Sequence, residues 1–452
     1  MESSWKTYKL GDLTKWSSGG TPKKSEASYW GGDIPWISAS SMDGHLYSDS
    51  KLRITNKGLA NGSRLAPKNS ILLLVRGSIL HQKIQVGLAT KPVAFNQDVK
   101  CLVPDEEILD PWYLLLWFKA KEQELLTLVE STGIGAGKFD TKLLSEYPID
   151  IPPANELKKI REFGKALFDK STNIVNTNQI LEQMAQALFK SWFVDFDPVM
   201  DNALAAGNPI PDELAHRVEV RKKAHALPDF HPLPDDIRNL FPSEFEQTGE
   251  PTVGIGGWVP KGWDFGSLSA LAKFTTERTD GKALSLDTYI STDNMHPNKG
   301  GVTKASKLPE LGTVPAFKAG DILVSNIRPY FKKIWFANFE GGRSNDVLCF
   351  EAVNNKGKEY LFNLLYQDTF FDYMMTTSKG SKMPRGDKKA IMDWAIVVPP
   401  VKLQNFFSDF VKDYYRVIPN RNRQNDELSK LRDALLPKLI SGELKVNKDV
   451  TS

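Results

Sequence analysis

Cysteine and histidine are scarce in this chain, two and six in 452 residues, and their spacing forms no zinc-ligand pattern. Cys101 and Cys349 occupy matching places in apolar, strand-like runs of different halves. Each therefore reads as a buried thiol in its own core rather than half of a disulfide. No stretch reaches the roughly 20 uncharged apolar residues of a membrane span, and Met1-Glu2-Ser3-Ser4 opens no signal peptide. The expectation is a soluble, cytoplasmic chain with no membrane partner. An excess of one charge is also missing. With 58 Lys+Arg against 55 Asp+Glu the net charge is +3, so any nucleic-acid surface must be local.

Recognisable catalytic motifs are absent too. There is no Gly-x-Ser-x-Gly elbow, no His-Glu-x-x-His, and no Asp/Asn-Pro-Pro-aromatic tetrapeptide of the kind used by adenine methyltransferases. Gly133-Ile134-Gly135-Ala136-Gly137-Lys138-Phe139 resembles a phosphate-cradling loop, but it is one residue short and has Phe139 where a magnesium-binding hydroxyl belongs. Pro211-Asp212 with Glu219-Val220-Arg221 hints at a metal nuclease triad, yet Arg221 stands where lysine is expected. No catalytic residue, metal ligand or bound cofactor is assigned.

What the chain does have is a copy of itself. Pro152-Pro153 and Pro399-Pro400 each precede a long heptad-like segment, at an offset of 247 (399 − 152). The register holds without a gap from Ser131/Ser378 through Leu188/Leu435, matching Gly133 to Gly380, Asp140 to Asp387, Lys142 to Lys389, Tyr147 to Trp394 and Met184 to Leu431. Upstream the match persists while the offset drifts to 258 (263 − 5), pairing Tyr113 with Tyr360, Cys101 with Cys349, Trp36-Ile37-Ser38 with Tyr289-Ile290-Ser291 and Trp5 with Trp263. The period is too long for a solenoid unit, so it denotes two homologous globular domains. Such a tandem can offer a pseudo-twofold surface to double-stranded DNA.

Each copy reads as mostly strand, with β-branched and aromatic runs between Gly, Pro, Asn and Asp. Ile34–Ile37, Ser70–Val75 and Val99–Val103 have counterparts at Tyr289-Ile290, Asp321–Val324 and Asp346–Phe350, and short helices are expected at Pro111–Lys121 and Lys358–Thr369. The fold class is α+β. Beyond the first proline pair, Ile160, Leu167, Ile174, Leu181 and Leu188 recur every seven residues, the seam of a helix that pairs with another. The second copy keeps Phe407, Tyr414, Leu428 and Leu435 in phase but has Pro419 in the interior. Proline there costs about 3 kcal/mol, which predicts a kink or break near Ile418–Asn420. The economical arrangement pairs the two helices antiparallel as a coiled-coil-like spacer; the alternative is two amphipathic helices each lying on its own domain. The resulting boundaries are 1–153 and 258–400 for the globular copies, 154–197 and 401–446 for the helices, and 198–257 for a proline-rich, charged surface connector that includes Arg217, Arg221, Lys222 and Lys223.

A flexible basic loop precedes each long helix. In the second copy Lys379, Lys382, Arg385, Lys388 and Lys389 face only Asp387, among Ser378, Gly380, Ser381 and Gly386. Glycine lets the backbone approach a phosphate, while Lys and Arg supply phosphate and guanine contacts. The first copy's loop is less charged, with Ser131, Thr132, Lys138 and Lys142. Strand-end loops add Arg76, Ser78 and Lys83 in the first copy, and Arg328, Tyr330, Lys332 and Lys333 in the second; Lys23 and Lys24 form a similar loop near the start. A single loop of this kind is more often only solvated, but recurrence at matching places favours DNA contact.

Three segments carry a family resemblance. Leu188-Phe189-Lys190-Ser191-Trp192-Phe193-Val194-Asp195-Phe196-Asp197-Pro198-Val199 resembles the central conserved region of the DNA specificity subunits of type I restriction-modification systems. Leu435-Leu436-Pro437-Lys438-Leu439-Ile440-Ser441-Gly442-Glu443-Leu444-Lys445-Val446 is similar to their carboxy-terminal region, and Asn239–Phe245 before Trp258–Trp263 is similar to the lead into their second half. The resemblance implies two target recognition domains, each reading half of a bipartite, asymmetric DNA site, with the helices as a ruler. It also implies docking of two modification (methyltransferase) subunits, which bind S-adenosylmethionine and methylate adenine N6, and of a separate restriction (motor-nuclease) subunit. Leu188, Trp192, Phe193, Leu435, Leu439 and Ile440 are then the expected modification-subunit contacts; the other reading is that they close the helix pair, and the two roles are compatible. A stand-alone DNA-binding regulator and a non-catalytic assembly scaffold are the alternatives.

Overall fold

The computed structural model describes residues 5–42, 44–132, 135–310, 312–380 and 382–446. It forms two compact units, Met1–Val175 with Arg423–Ser452, and Asn176–Asn422. The division runs through both long helices, so each unit holds the start of one helix and the end of the other.

In the first unit, one sheet runs in the order Thr14–Ser18, Val99–Pro104, Ile71–Leu74, Val86–Ala89, Leu46–Tyr47. All four side chains of Ile71–Leu74 are buried, as expected of a central strand covered on both faces. The covering helix, Pro111–Ala120, starts where Asp110 accepts from the Trp112 and Tyr113 amides and proline takes the first helical position. Its Tyr113 hydroxyl donates to the Asp150 carbonyl at 2.6 Å, tying the helix to the last strand. A second sheet is ordered Arg53–Ile54, Trp30–Ile37, Val93–Phe95, Arg64–Ala66.

The second unit repeats this plan. One sheet is ordered Ala272–Phe274, Val347–Ala352, Ile322–Ser325, Ile334–Phe336; the other Arg278–Asp280, Thr313–Phe317, Gly341–Arg343, Tyr289–Ile290. Registers match between copies. Trp36 pairs in parallel with Ala94 as Tyr289 does with Gly342, and Cys101 lies opposite Leu72 as Cys349 lies opposite Leu323. Both cysteines are free and buried, as the sequence indicates.

The first long helix is Ala154–Phe189 and ends in a π turn, Lys190–Val194; Phe196 in the left-handed region then opens the helix Asp197–Ala206. The second long helix, Val401–Ile440, is continuous through Pro419, so the expected break does not occur. Packing outweighs the local propensity. Ile418 is buried, and the Asn178 amide of the first helix donates to Asn422 Oδ1 at 2.8 Å. In the second unit Asn178 lies by Asn422 and Phe189 by Phe407, so the segments run antiparallel. In the first unit Ser171 donates to Asn425 and Arg432 sits over Phe168, with the same polarity.

The 198–257 segment is more than a surface connector. Its helices Asp197–Ala206 and Ala215–His225 are clamped by Arg217–Asp197 and Arg221–Asp201 ion pairs, both 2.5 Å, and Val199 and Phe241 enter the second unit's core. The basic cluster read there is therefore largely neutralised inside the unit, and Arg221 belongs to a structural ion pair rather than a nuclease triad. No helix among the described residues is long and apolar enough to cross a membrane.

Candidate nucleic-acid interface

In the first unit the pairing of short strands brings most of the predicted loop residues together. Lys138 on Gly137–Phe139 lies directly opposite Arg76 on Arg76–Gly77, and Ser131 lies opposite Gly137 on the other side. Thr132 closes the loop, its hydroxyl donating to the Ala136 carbonyl at 2.9 Å. Gly133 and Ile134 lie outside the described residues. A Cβ on Gly137 would meet Leu80 and Val129 side-chain atoms at 2.9 Å and the Gly77 carbonyl oxygen at 3.2 Å, so the pairing needs glycine at this position. Ser78 starts the adjoining 3-10 turn, Lys83 is exposed just beyond it, and Lys142 lies on the short helix Thr141–Ser145 capped by Asp140.

The second unit builds the equivalent platform. Arg385 occupies the place of Lys138, and Lys379 and Arg385 exchange backbone hydrogen bonds of 2.9 and 3.0 Å, closing a hairpin that contains Lys382. Ser381 lies outside the described residues. Arg385 also bridges to Ile327, and the Arg328 amide donates to the Pro384 carbonyl at 2.8 Å. Two loops far apart in sequence thus form one surface. Asp387 caps the helix Lys388–Met392 as Asp140 does its counterpart.

The cations are not equally available. Lys379 pairs with Asp387 at 2.6 Å, which holds that carboxyl below the usual carboxylate range, and Arg385 reaches Asp346 at 3.2 Å. Lys332, with Lys299, clasps Asp368, and Lys333 donates to the Thr292 carbonyl at 2.6 Å, its ammonium pushed below its ordinary pKa by burial. Lys332 and Lys333 therefore serve to brace the turn. Among the described residues Arg76, Lys138, Arg328, Lys382, Lys388 and Lys389 lack a carboxylate within ion-pair distance. These cations have no carboxylate partner to give up before meeting a phosphate or a base.

Lys24 borders a cleft of about 740 Å3 whose lining includes Trp30, Trp36, Leu52, Asn96 and Gln97. The Trp30 indole donates to the Lys23 carbonyl at 3.2 Å and pins the loop. Sequence reading singled out neither this cleft nor Phe331 and Met383, which are exposed at 36% and 47%. Exposed apolar residues within a cation-rich loop were the available signal.

The six predicted partner contacts fare differently. Trp192, Phe193, Leu439 and Ile440 are buried, the first two in the second unit's core and the others in the first's. Leu188 and Leu435 are partly accessible. The long helices instead expose Met184 and Leu431, at 49% and 47%, which are matching positions of the two copies. No group of three or more His, Cys, Asp or Glu suited to a metal exists among the described residues.

Comparison with known proteins is consistent with this organisation. A family described as "Type I restriction modification DNA specificity domain" matches residues 2–184. The chain is 26% identical over 452 residues, covering 99% of its length and 95% of the relative, to a type I restriction enzyme specificity subunit of Methanocaldococcus jannaschii. An Escherichia coli type I restriction enzyme specificity subunit is 35% identical over 178 residues, 39% of this chain and 42% of the relative. The crystal structure of the S subunit of a type I restriction-modification system from M. genitalium shares the fold, with TM-score 0.52 at 16% identity, covering 97% and 96% of the two chains. A repeated platform and paired long helices thus go with similarity to type I restriction enzyme specificity subunits, through a family match to residues 2–184 and a relative aligned over nearly the whole chain.

Proposed function

We propose that the chain reads a bipartite, asymmetric DNA site, one half-site per recognition domain, and brings two modification subunits to it. The observation that carries this reading is the duplicated platform. Both domains place a hairpin beside a strand-end turn and in front of an Asp-capped helix, but with different cations: Arg76 and Lys138 in one, Arg328, Lys382 and Arg385 in the other. The same scaffold with different readers suits two unlike half-sites. Glycine-flanked backbone and extended Lys and Arg supply phosphate contacts for register and guanine contacts for sequence.

The paired helices fix the separation of the half-sites and dock the partners. The exposed Met184 and Leu431 favour this, because equivalent apolar residues left in water on both long helices provide one like surface for each of two modification subunits. S-adenosylmethionine and adenine N6 methylation belong to those subunits, and DNA cleavage to a restriction subunit. The low net charge, +3, fits a chain whose phosphate contacts are shared across a complex.

The test is a map of N6-methyladenine in cells carrying the chain with its modification subunit, against cells lacking only the chain. Loss of a two-part motif with one methyladenine in each half supports the reading. An unchanged map refutes it.

A further inference from the structure

The turn Pro329–Phe331 of the second domain is held from every side, yet it presents two aromatic rings to solvent. Arg328 and Lys332, which flank it, both have left-handed backbones, with φ of 50° and 49°. So do Asn298 and Lys299, at 55° and 63°, on the loop bonded to it. Non-glycine residues rarely adopt this conformation, and such strain persists only where the surroundings enforce it. Here they do. The Asn298 and Lys299 amides donate to the Phe331 and Lys332 carbonyls at 2.7 and 2.8 Å, and Lys299 and Lys332 both grip Asp368, at 2.7 and 3.1 Å. Pro384 accepts from the Arg328 amide at 2.8 Å, and Pro329 is buried.

This bracing does not bury the aromatic rings. Tyr330 is 47% and Phe331 36% exposed, with ring centroids 4.6 Å apart. Arg328 lies just before them, and the Lys379–Arg385 hairpin beside them carries Lys382, Arg385 and the exposed Met383. Rigid apolar rings amid cations match a nucleic acid better than a protein or lipid partner. The cations take phosphates, and the rings take the apolar face of a base step opened toward the groove. The first domain lacks this device. Its equivalent turn, Ser78–His81, follows Gly77 and sends Leu80 and Ile79 into or against the core.

We propose that Tyr330 and Phe331 form a wedge that unstacks one base step of double-stranded DNA in the half-site read by the second domain, and in that half-site alone. This rests on the two-half-site reading above. Holding the turn rigid before binding lowers the ordering cost of inserting it.

The experiment uses the full complex of this chain with its modification subunits and a duplex bearing the methylation motif mapped in vivo. 2-Aminopurine is placed in turn at each step of both halves except the methylated adenines and the steps flanking them, where base flipping by the modification subunits itself unstacks the duplex. The wedge predicts a fluorescence rise at one step of one half only. It also predicts that Tyr330→Ala with Phe331→Ala removes the rise and weakens binding roughly tenfold, while Tyr330→Phe with Phe331→Tyr retains both. Specific binding with no rise at any step in the wild-type complex overturns the wedge and leaves the two-half-site reading intact. A rise that survives the double alanine change, or one of equal size in both halves, overturns it too. Absence of any specific binding to the mapped duplex overturns the wedge together with the reading beneath it. Because the wild-type scan decides by itself, a double variant that fails to fold does not protect the proposal.

Discussion

The two recognition domains share a frame and differ in what stands on it. Both have two matched sheets, a buried cysteine at the same register and an Asp-capped helix after the loop. On that frame the first domain carries a small, glycine-rich hairpin with Lys138 opposite Arg76. The second carries Lys379, Lys382 and Arg385 on a hairpin bonded to the strained Arg328–Lys332 turn. Core positions are held by packing that neither copy can alter cheaply. Loop positions answer to the ligand, and divergence concentrates there.

The comparison can be broken at the frame. Phe189 and Leu436 are matching positions, each fully buried but in different units. Phe189 packs on Phe193, Tyr360 and Phe407, with centroids at 5.1, 5.4 and 5.7 Å. Phe189→Ala should cost about 3–5 kcal/mol and Leu436→Ala about 2–4, read as falls in denaturant midpoint. A cost under about 1 kcal/mol at either position contradicts the assigned cores.

At the readers, Lys382→Ala with Arg385→Ala should weaken specific binding by the assembled complex about 10- to 100-fold, measured at fixed moderate salt. Assembly with the modification subunits should be unchanged. The effect belongs to the second domain, and an unchanged affinity contradicts the assignment.

A third difference is pH dependence. Burial, with the Lys119 and Arg432 charges nearby, lowers the first unit's His45 to about 4, against about 6.5 when unfolded; Asp169 opposes this shift. The folded state therefore favours neutral imidazole. Its contribution is fully present above about 6.5 and is lost progressively as pH falls from there through about 4, on the order of 2–3 kcal/mol after allowing for the group's partial exposure. His45→Phe, which keeps an aromatic ring against Phe168, should flatten the acid limb of stability in this pH range; an unaltered limb contradicts the burial of this group.

The smallest effect is expected at Lys138. Lys138→Ala removes one exposed cation and should weaken binding about threefold while reducing the salt slope by about one. A loss as large as that of the second-domain double change would erase the proposed difference between the domains.

Much of the frame was legible in the sequence. The gapless repeat gave two domains, the strand runs fell within or beside observed strands, and a seven-residue apolar period gave the long helices. A seam shows that a helix has a partner but not where the compact units divide, and the division near Val175 and Asn422 was not legible. Local propensity at Pro419 was outweighed by packing around Ile418 and Asn178. The 198–257 segment looked like a connector because its charges suit solvent, whereas Arg217 and Arg221 are satisfied by Asp197 and Asp201. Of the candidate interface, residue types were legible and juxtaposition was not. Only the fold brings Ile327 to Arg385, or assigns Lys332 and Lys333 to bracing while leaving Lys382 without a carboxylate partner among the described residues.

The central claim is that each domain reads its own half of the site. Its most direct test is an N6-methyladenine map in cells carrying Lys382→Ala with Arg385→Ala, set against the wild-type map. The account predicts a motif whose one half is unchanged and whose other half becomes degenerate or falls in occupancy. Equal loss of sequence preference in both halves, or an unaltered motif at full occupancy, would contradict it.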